Sequence, residues 1–408
     1  MTSNLHWVDP LLYAAGLKDE ENLVLLYSGT SAGQRSILAW DLQEKITDLD
    51  SLKDALGHGE KLFGWVGYGL RNKLERLDSG EPSAIELEDV FFARFKNVLV
   101  FDHVTKAMSY SGIDPNIQPL EKLDSRITRR ASAMSQRESE NDEVILKSSM
   151  TDAEYEQKVQ YIIDEIAAGK LYQANLTRKF SGEFENEPGS FALFCELAKK
   201  SPAPYSAFMK FGDVSIVSSS PEKFLSIADG VAVTKPIKGT MPSSRPASDL
   251  ANSEKDKAEN LMIVDLMRND LSKTCANVQT PELFKVTTYP AYHHLHSTVT
   301  GEIKGTPLDT VLGCFPAGSM TGAPKIAAIN LCNKLEGVER GLYSGALGWI
   351  DADSCDFSVV IRTLIIRGKQ FEFQAGGGIT SGSVPANELA EMYTKCKPIM
   401  ELLNIKAF

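Results

Sequence analysis

Between residues 22 and 101 the apolar positions fall in short aromatic and β-branched runs: NLVLLY at 22–27, LFGWVGYGL at 62–70 and FFARFKNVLVF at 91–101. Runs of that length between turn residues predict the strands of an antiparallel sheet, and helical periods are scarce there. From residue 126 the chain reads RITRRASAMSQRESENDE, polar and charged with no apolar period, which predicts a solvated linker or a surface helix. These changes divide the chain into an N-terminal part at 1–125, a polar linker at 126–150 and a second part at 151–408.

The second part opens on Thr151-Asp-Ala-Glu154, a capping box in which hydroxyl and carboxylate satisfy orphan N–H groups, followed by Tyr155, Val159, Ile162 and Ile166 at helical spacing. Gly169 stops that helix. LYQANLTRKF then alternates, which puts Gln173, Asn175 and Thr177 on one strand face and Tyr172, Ala174 and Leu176 on the other. Further strands are predicted at 205–211, 214–219, 223–227, 231–235, 343–350, 357–366 and 370–375. Helices are predicted near 253–269, 307–313, 323–335 and 385–403. Strands outnumber helices and β-α-β alternation is rare, so the fold class is α+β with large antiparallel sheets forming a sandwich-like core and helices packed outside.

Composition narrows the class. Hydrophobic residues make up 43% and charged residues 24% of 408, which is globular and excludes a disordered or fibrous chain. A net charge of −11 repels phosphate backbones and argues against nucleic-acid binding. The six cysteines, at 195, 275, 314, 332, 355 and 396, have no metal-ligand or C-x-x-C spacing and are expected to be reduced core thiols. Neither a basic leader nor an apolar run of membrane-spanning length is visible, which points to a cytoplasmic protein without a membrane partner.

Several clusters could carry chemistry. The 253–269 helix places Asp256 and Glu259 on one face beside an apolar stripe of Leu261, Val264 and Met267, and the last helix does the same with Glu388 and Glu391, continued by Lys395. Two acid pairs suit a hard divalent cation such as Mg²⁺; taken alone, each pair is more simply a solvated helix face. FQAGGGITSGS puts Gly376, Gly377 and Gly378 at a strand end, where successive N–H groups could meet an anion or a tight turn could form. CFPAGSMTGAPK lacks Walker A spacing, so nucleotide hydrolysis is not supported. Lys238, beside Gly239 and Thr240, could be an amine nucleophile or a surface charge. Glu222, at a turn entering a strand, could be a general acid or a capping carboxylate. His293, His294 and His296 read as H-H-x-H, which suits one oriented hydrogen-bonding histidine better than a metal site.

Each cluster is modest evidence, but their order is specific. YQANLT, SPEKFL, PIKGT, KDKAENLMIVDLMRNDL, HHLHSTVTG, GSMTGAPK, YSGALGWI, FSVVIRT, AGGGI and ELAEMYTKCKP, over about 151–408, resemble the chorismate-utilising enzyme family. Residues 1–125 look like that family's more variable N-terminal half. The resemblance implies an anthranilate-synthase-like fold with the active site between interleaved layers. It also implies that Glu259 and Glu391 hold Mg²⁺, with Asp256 and Glu388 in support, so that the ion screens the ring carboxylate of chorismate. Arg362, Tyr343, Lys395 and the N–H groups of Gly376 to Gly378 would meet the enolpyruvyl carboxylate, and Gly239, Thr240, His294, Thr321 and Ile361 would line the rest of the substrate site.

Two positions choose among the family's reactions. Members that add water carry a lysine base where this chain has Gln173, and members that aminate carbon 2 have PIAGT where this chain has PIKGT, with Lys238. The resemblance therefore implies amination at carbon 4, giving 4-amino-4-deoxychorismate for para-aminobenzoate and folate synthesis. In that reaction Lys238 attacks carbon 2, Glu222 protonates the departing hydroxyl, and ammonia expels the lysine. A neutral amine is needed, so the Lys238 pKa should fall from about 10.4 toward the working pH. No G-x-C-x-G nucleophile elbow is found, so ammonia is expected from a separate glutamine amidotransferase subunit, with a separate lyase downstream. An anthranilate-type synthase is the alternative within the family, and a non-catalytic chorismate or amino-acid sensor is the alternative outside catalysis.

Overall fold

A computed structural model describes residues 7–30, 35–75, 77, 80–111, 144–288 and 292–405. Its strands pair in one antiparallel succession: Ile145–Ser148, Gln173–Glu183, Gln370–Ile379, Thr363–Arg367, Val214–Ser220, Tyr205–Phe211, Asn22–Tyr27, Arg35–Ile46, Val90–Asp102, Leu62–Val66, Ala346–Ile350, Cys355–Val359, Lys223–Ala228, Val231–Thr234 and Tyr292–Ile303. The last of these carries both Ile237–Pro242 and Cys275–Thr288. Strands from before residue 112 thus sit in the middle of a sheet whose two ends come from residues after 144.

The succession folds back on itself. Phe211 meets Trp65 and Phe91 with ring centroids 5.9 Å and 4.6 Å apart, although four strand steps separate the Phe211 strand from the Trp65 strand. Val24, Ala39, Met209, Ile216 and Ile365 fill the same inner core. Burying each large apolar side chain contributes roughly 1.5–3 kcal/mol, so this dry interior ties the halves of the chain together. Helices cover the two outer faces. Pro10–Ala15, Asp152–Ala167, Ser190–Lys200 and Pro385–Leu402 pack on one, and Leu49–Gly57, Glu254–Thr274 and Pro307–Cys314 on the other. The α+β, sandwich-like expectation holds.

Details differ for physical reasons. The 62–70 run is a strand only to Val66, and Leu70–Glu75 is helical. The 357–366 run is two strands, Cys355–Val359 and Thr363–Arg367, broken where Arg362 takes φ of 49°. The Arg35–Ile46, Cys275–Thr288 and Tyr292–Ile303 strands and the Ser190–Lys200 helix were not among the predicted elements. Cys275–Thr288 hides from a period-two reading because its side chains break the apolar pattern: Pro281 stands in mid-strand, Glu282 takes a half-buried position and Leu283 faces outward, although accessibility alternates from Ala276 to Val286 through three register shifts. In Glu254–Thr274 the buried stripe is Ile263, Val264, Met267 and Leu271, whereas Leu261 is half exposed. The Thr151 capping box forms, and Gly169, at φ of 76°, follows the end of its helix. Residues 126–143 of the polar stretch lie outside the described residues, and Ile145–Ser148 pair with Gln173–Glu183. All six cysteines are free and five are buried. No described helix is long and apolar enough to cross a membrane.

Candidate active site

One helix from each layer borders a cavity of about 500 Å³. Glu254–Thr274 supplies Lys255, Asp256 and Glu259 from one side, and Pro385–Leu402 supplies Glu388, Glu391, Thr394 and Lys395 from the other. Between them lie Glu222, Lys238, Gly239, Thr240, His294, Tyr343, Ile361, Arg362 and Gly376 to Gly378. Every site residue expected from the sequence lines this cavity except Thr321. Its hydroxyl donates to the carbonyls of Ala317 and Gly318 at 3.4 Å and 3.3 Å, and it is buried behind the wall.

Lys238 owes its aim to a bulge. Ile237 opposes His296 and Thr240 opposes His294, so two residues face the single Leu295 between them. Gly239 fills the second bulge position at φ of 79°, where a Cβ would also lie 2.8 Å from Leu250 Cδ1 and 2.9 Å from Asp256 Cγ. Such a bulge turns the preceding side chain out of the sheet's regular alternation. The Lys238 amine consequently lies 3.5 Å from the point where a Cβ at position 378 would stand.

The glycine run acts differently from the anion cradle expected. Gly376 to Gly378 are extended and paired with Thr177, Leu176 and Asn175. Successive N–H groups of a strand point to opposite sides, so the three do not converge on one anion. They make room instead. A Cβ at 377 would stand 3.2 Å from Glu388 Oε2 and 3.7 Å from Lys395 Nζ, and one at 378 would stand 3.0 Å from Gln173 Nε2.

The electrostatics separate the acids. Burial pushes the Glu222 carboxyl up, against a hydrogen bond from Ser319 and the nearby Lys238 and Lys395. Burial also raises Glu259, with Asp256 and Glu388 adding to the rise. Glu388 is raised by burial against the Ser383 hydroxyl, which donates to its Oε1 at 2.7 Å. Burial acts upward on Glu391 as well, but Lys395, 2.8 Å away, holds that carboxyl below its ordinary value. Lys395 also donates to the Gly376 carbonyl at 2.8 Å. Lys255 stands 3.9 Å from Glu259, while Lys238 and Arg362 form no salt bridge among the described residues. Arg362 is pushed down by burial, which leaves a poorly solvated guanidinium beside the cavity for a carboxylate to meet.

His294 is pushed down to about 4, first by burial and then by Arg362 and His296, so its ring is neutral near pH 7. Its Nδ1 lies 2.8 Å from the Thr240 hydroxyl. His293 and His296 are held separately by Thr288 and Thr287, so the three histidines form no common site. Burial also raises Tyr343, which stays a neutral phenol.

The four acids offer the hard oxygen donors that Mg²⁺ takes, on two helices facing one cavity, and mutual repulsion between them is the charge a cation would relieve. In this arrangement no three acidic, histidine or cysteine side chains among the described residues converge at ligand distance. Glu391 is turned to Lys395 and Glu388 to Ser383.

Asn175, Lys255, Ser319, Met320, Gln374 and Thr394 also line the cavity and were not among the expected site residues. Asn175 lies on the polar face of the LYQANLTRKF alternation, and Gln374 is a lone amide in the apolar run FEFQAGGG, so both carried a signal.

Known proteins resemble this chain along most of its length. The family model described as chorismate binding enzyme matches residues 17–401. Aminodeoxychorismate synthase component 1 of Klebsiella aerogenes is 34% identical over 84% of this chain and 76% of its own length. Anthranilate synthase component 1 of Mycobacterium bovis is 30% identical over 84% of this chain and 72% of its own. The crystal structure of anthranilate synthase component I from Streptococcus pneumoniae superposes with a TM-score of 0.75 at 28% identity, covering 90% of this chain and 92% of that one.

Proposed function

The chain belongs to the chorismate-binding enzyme family, and we propose that its reaction is the amination of chorismate at carbon 4 with ammonia, giving 4-amino-4-deoxychorismate. The observation that carries this reading is the bulge-aimed Lys238 amine at the cavity wall, in electrostatic reach of Glu222, with Gln173 and not a lysine at that position of the Gln173–Glu183 strand. Relatives named aminodeoxychorismate synthase component 1 support the same choice.

In the first displacement the neutral Lys238 amine bonds to carbon 2, the two ring double bonds shift, and the carbon 4–oxygen bond breaks. The oxygen leaves as water with the proton of Glu222. A raised carboxyl suits a proton donor, because it stays protonated further toward neutrality. In the second displacement ammonia bonds to carbon 4, the double bonds return, and the carbon 2–nitrogen bond breaks to release Lys238. The new ammonium group gives a proton to the Glu222 carboxylate, which restores the acid. Arg362 and Lys395 supply cationic donors for the enolpyruvyl carboxylate. Glu259 and Glu391, with Asp256 and Glu388 beside them, would hold Mg²⁺, which when bound would neutralise the ring carboxylate that four acids otherwise repel.

Relatives named component 1 support a second component here, and ammonia as co-substrate makes a glutamine amidotransferase its chemistry. A lyase that removes the enolpyruvyl group would complete para-aminobenzoate downstream. The test is product analysis by mass spectrometry after incubation with chorismate, Mg²⁺ and an ammonium salt at alkaline pH. The account expects 4-amino-4-deoxychorismate, converted to para-aminobenzoate by an added lyase. Anthranilate instead would favour the carbon 2 reaction of the Mycobacterium bovis relative's namesake and refute the role given to Lys238.

A further inference from the structure

Beside the cavity, three amide side chains are almost wholly buried: Gln173 at 0%, Asn175 at 5% and Gln374 at 3% exposure. They share one sheet face. Gln173 and Asn175 are two residues apart on one strand, Asn175 stands opposite Gly378 on the next, and Gln374 lies four residues before Gly378. Asn175 Nδ2 donates to the Ser319 carbonyl at 3.1 Å, and because that carbonyl only accepts, the Asn175 oxygen must be the end left over. Gln374 Nε2 donates to the Thr177 hydroxyl at 2.9 Å. The Asn175 Oδ1, the Gln374 Oε1 and both ends of the Gln173 amide have no hydrogen-bond partner among the described residues.

Each buried acceptor left unpaired costs about 1–3 kcal/mol, so three together call for a ligand that donates hydrogen bonds. A carboxylate of chorismate does not suit the Asn175 and Gln374 oxygens, since oxygen would face oxygen; the Gln173 amide, unpaired at both ends, offers a donor as well as an acceptor. Resting on the carbon 4 amination proposed above, we infer that the carbonyl strip of Gln173, Asn175 and Gln374 binds the incoming ammonia and leads it to the reacting ring. An ammonia molecule donates its N–H bonds to such carbonyls while its lone pair stays free to attack. The Gln173 amide lies beside Gly378, where a Cβ would stand 3.0 Å from its Nε2 and 3.5 Å from Lys238 Nζ, so ammonia arrives beside the ring that carries the lysine adduct.

The test replaces Gln374→Met and, separately, Gln173→Met, keeping side-chain length and removing the acceptor. With an ammonium salt as nitrogen source, the KM for ammonium should rise about tenfold in each while the KM for chorismate stays within about twofold, as for loss of one hydrogen bond. The first displacement needs no ammonia. Intact-protein mass spectrometry should therefore show the chorismate-minus-water adduct forming on Lys238 as in the wild type, which also verifies folding. An unchanged ammonium KM, or a rise of both KM values together, would overturn the ammonia strip. Failure of the wild type to form the adduct or any carbon 4 amine would instead overturn the reaction beneath it.

Discussion

The strands of residues 22–111 and those of 173–379 share one sheet, yet they do opposite work. Every cavity-lining residue has number 175 or higher, whereas Val24, Ala39, Phe63, Trp65, Phe91 and Phe95 of the first set go into the dry inner core. Behind the cavity the two sets touch through Tyr68, whose ring lies 3.9 Å from the Arg71 guanidinium and 4.7 Å from that of Arg340. Arg340 is paired with buried Glu336, which accepts the Thr177 N–H at 2.9 Å and so braces the strand that carries Gln173 and Asn175. The difference teaches that one part of this chain can be changed for stability and the other for chemistry, with the Tyr68 stack as one of several junctions between them.

The comparison breaks hardest at Lys238. Lys238→Ala should lower carbon 4 amination on the order of a thousandfold and leave the melting temperature near that of the wild type, since covalent machinery fails as a unit. Product formation per folded molecule checks it, and near-wild-type carbon 4 amine would refute the nucleophile. Glu222→Gln should cost about 10²–10⁴ in kcat, the range of general acid catalysis. Because the Glu222 carboxyl is raised and must be protonated to act, wild-type turnover of the first displacement should fall as pH rises through that elevated pKa. The variant should lack this limb, and an unchanged pH–rate profile would remove Glu222 from the mechanism. Glu259→Gln and Glu391→Gln should each weaken the Mg²⁺ dependence of activity, read by titrating Mg²⁺ at fixed chorismate; wild-type dependence in both would exclude the metal assignment.

Changes on the other side should act in the opposite currency. Trp65 is buried, stacks on Phe91 with centroids 4.3 Å apart and donates to the Glu88 carbonyl at 3.0 Å. Trp65→Ala should therefore destabilise by about 3–5 kcal/mol in denaturant titration while kcat of the folded fraction holds. Leu261→Ser, on the exposed side of an acid-bearing helix, should move stability by no more than about 0.5 kcal/mol. A larger shift would mean that this helix face packs against something.

The same contrast explains what the sequence disclosed. Lys238, Glu222, Arg362 and the two acid pairs were legible because chemistry needs those residue types in a fixed order, and the cavity gathers them. The glycine run was located but misread: three residues without Cβ look alike whether they form an anion cradle or clear space for Lys395 and Gln173, and only the extended backbone separates the two. Thr321 sits in the right loop but turns its hydroxyl to backbone carbonyls. Asn175 and Gln374 carried only a weak signal, because a neutral amide in a strand announces no particular chemistry until its unpaired oxygen is placed in a buried strip. The Cys275–Thr288 strand was lost because Pro281, the half-buried Glu282 and the outward-facing Leu283 break the apolar period that its accessibility keeps.

The central claim is a covalent bond between Lys238 and the ring, and the most direct measurement withholds ammonia. Purified protein, chorismate and Mg²⁺ are mixed without any nitrogen source and the intact mass and its peptides are read. The account predicts an added mass of chorismate minus water on the Lys238 peptide, discharged as 4-amino-4-deoxychorismate when ammonium is added. Undiminished carbon 4 amination with no such adduct at any time would contradict it.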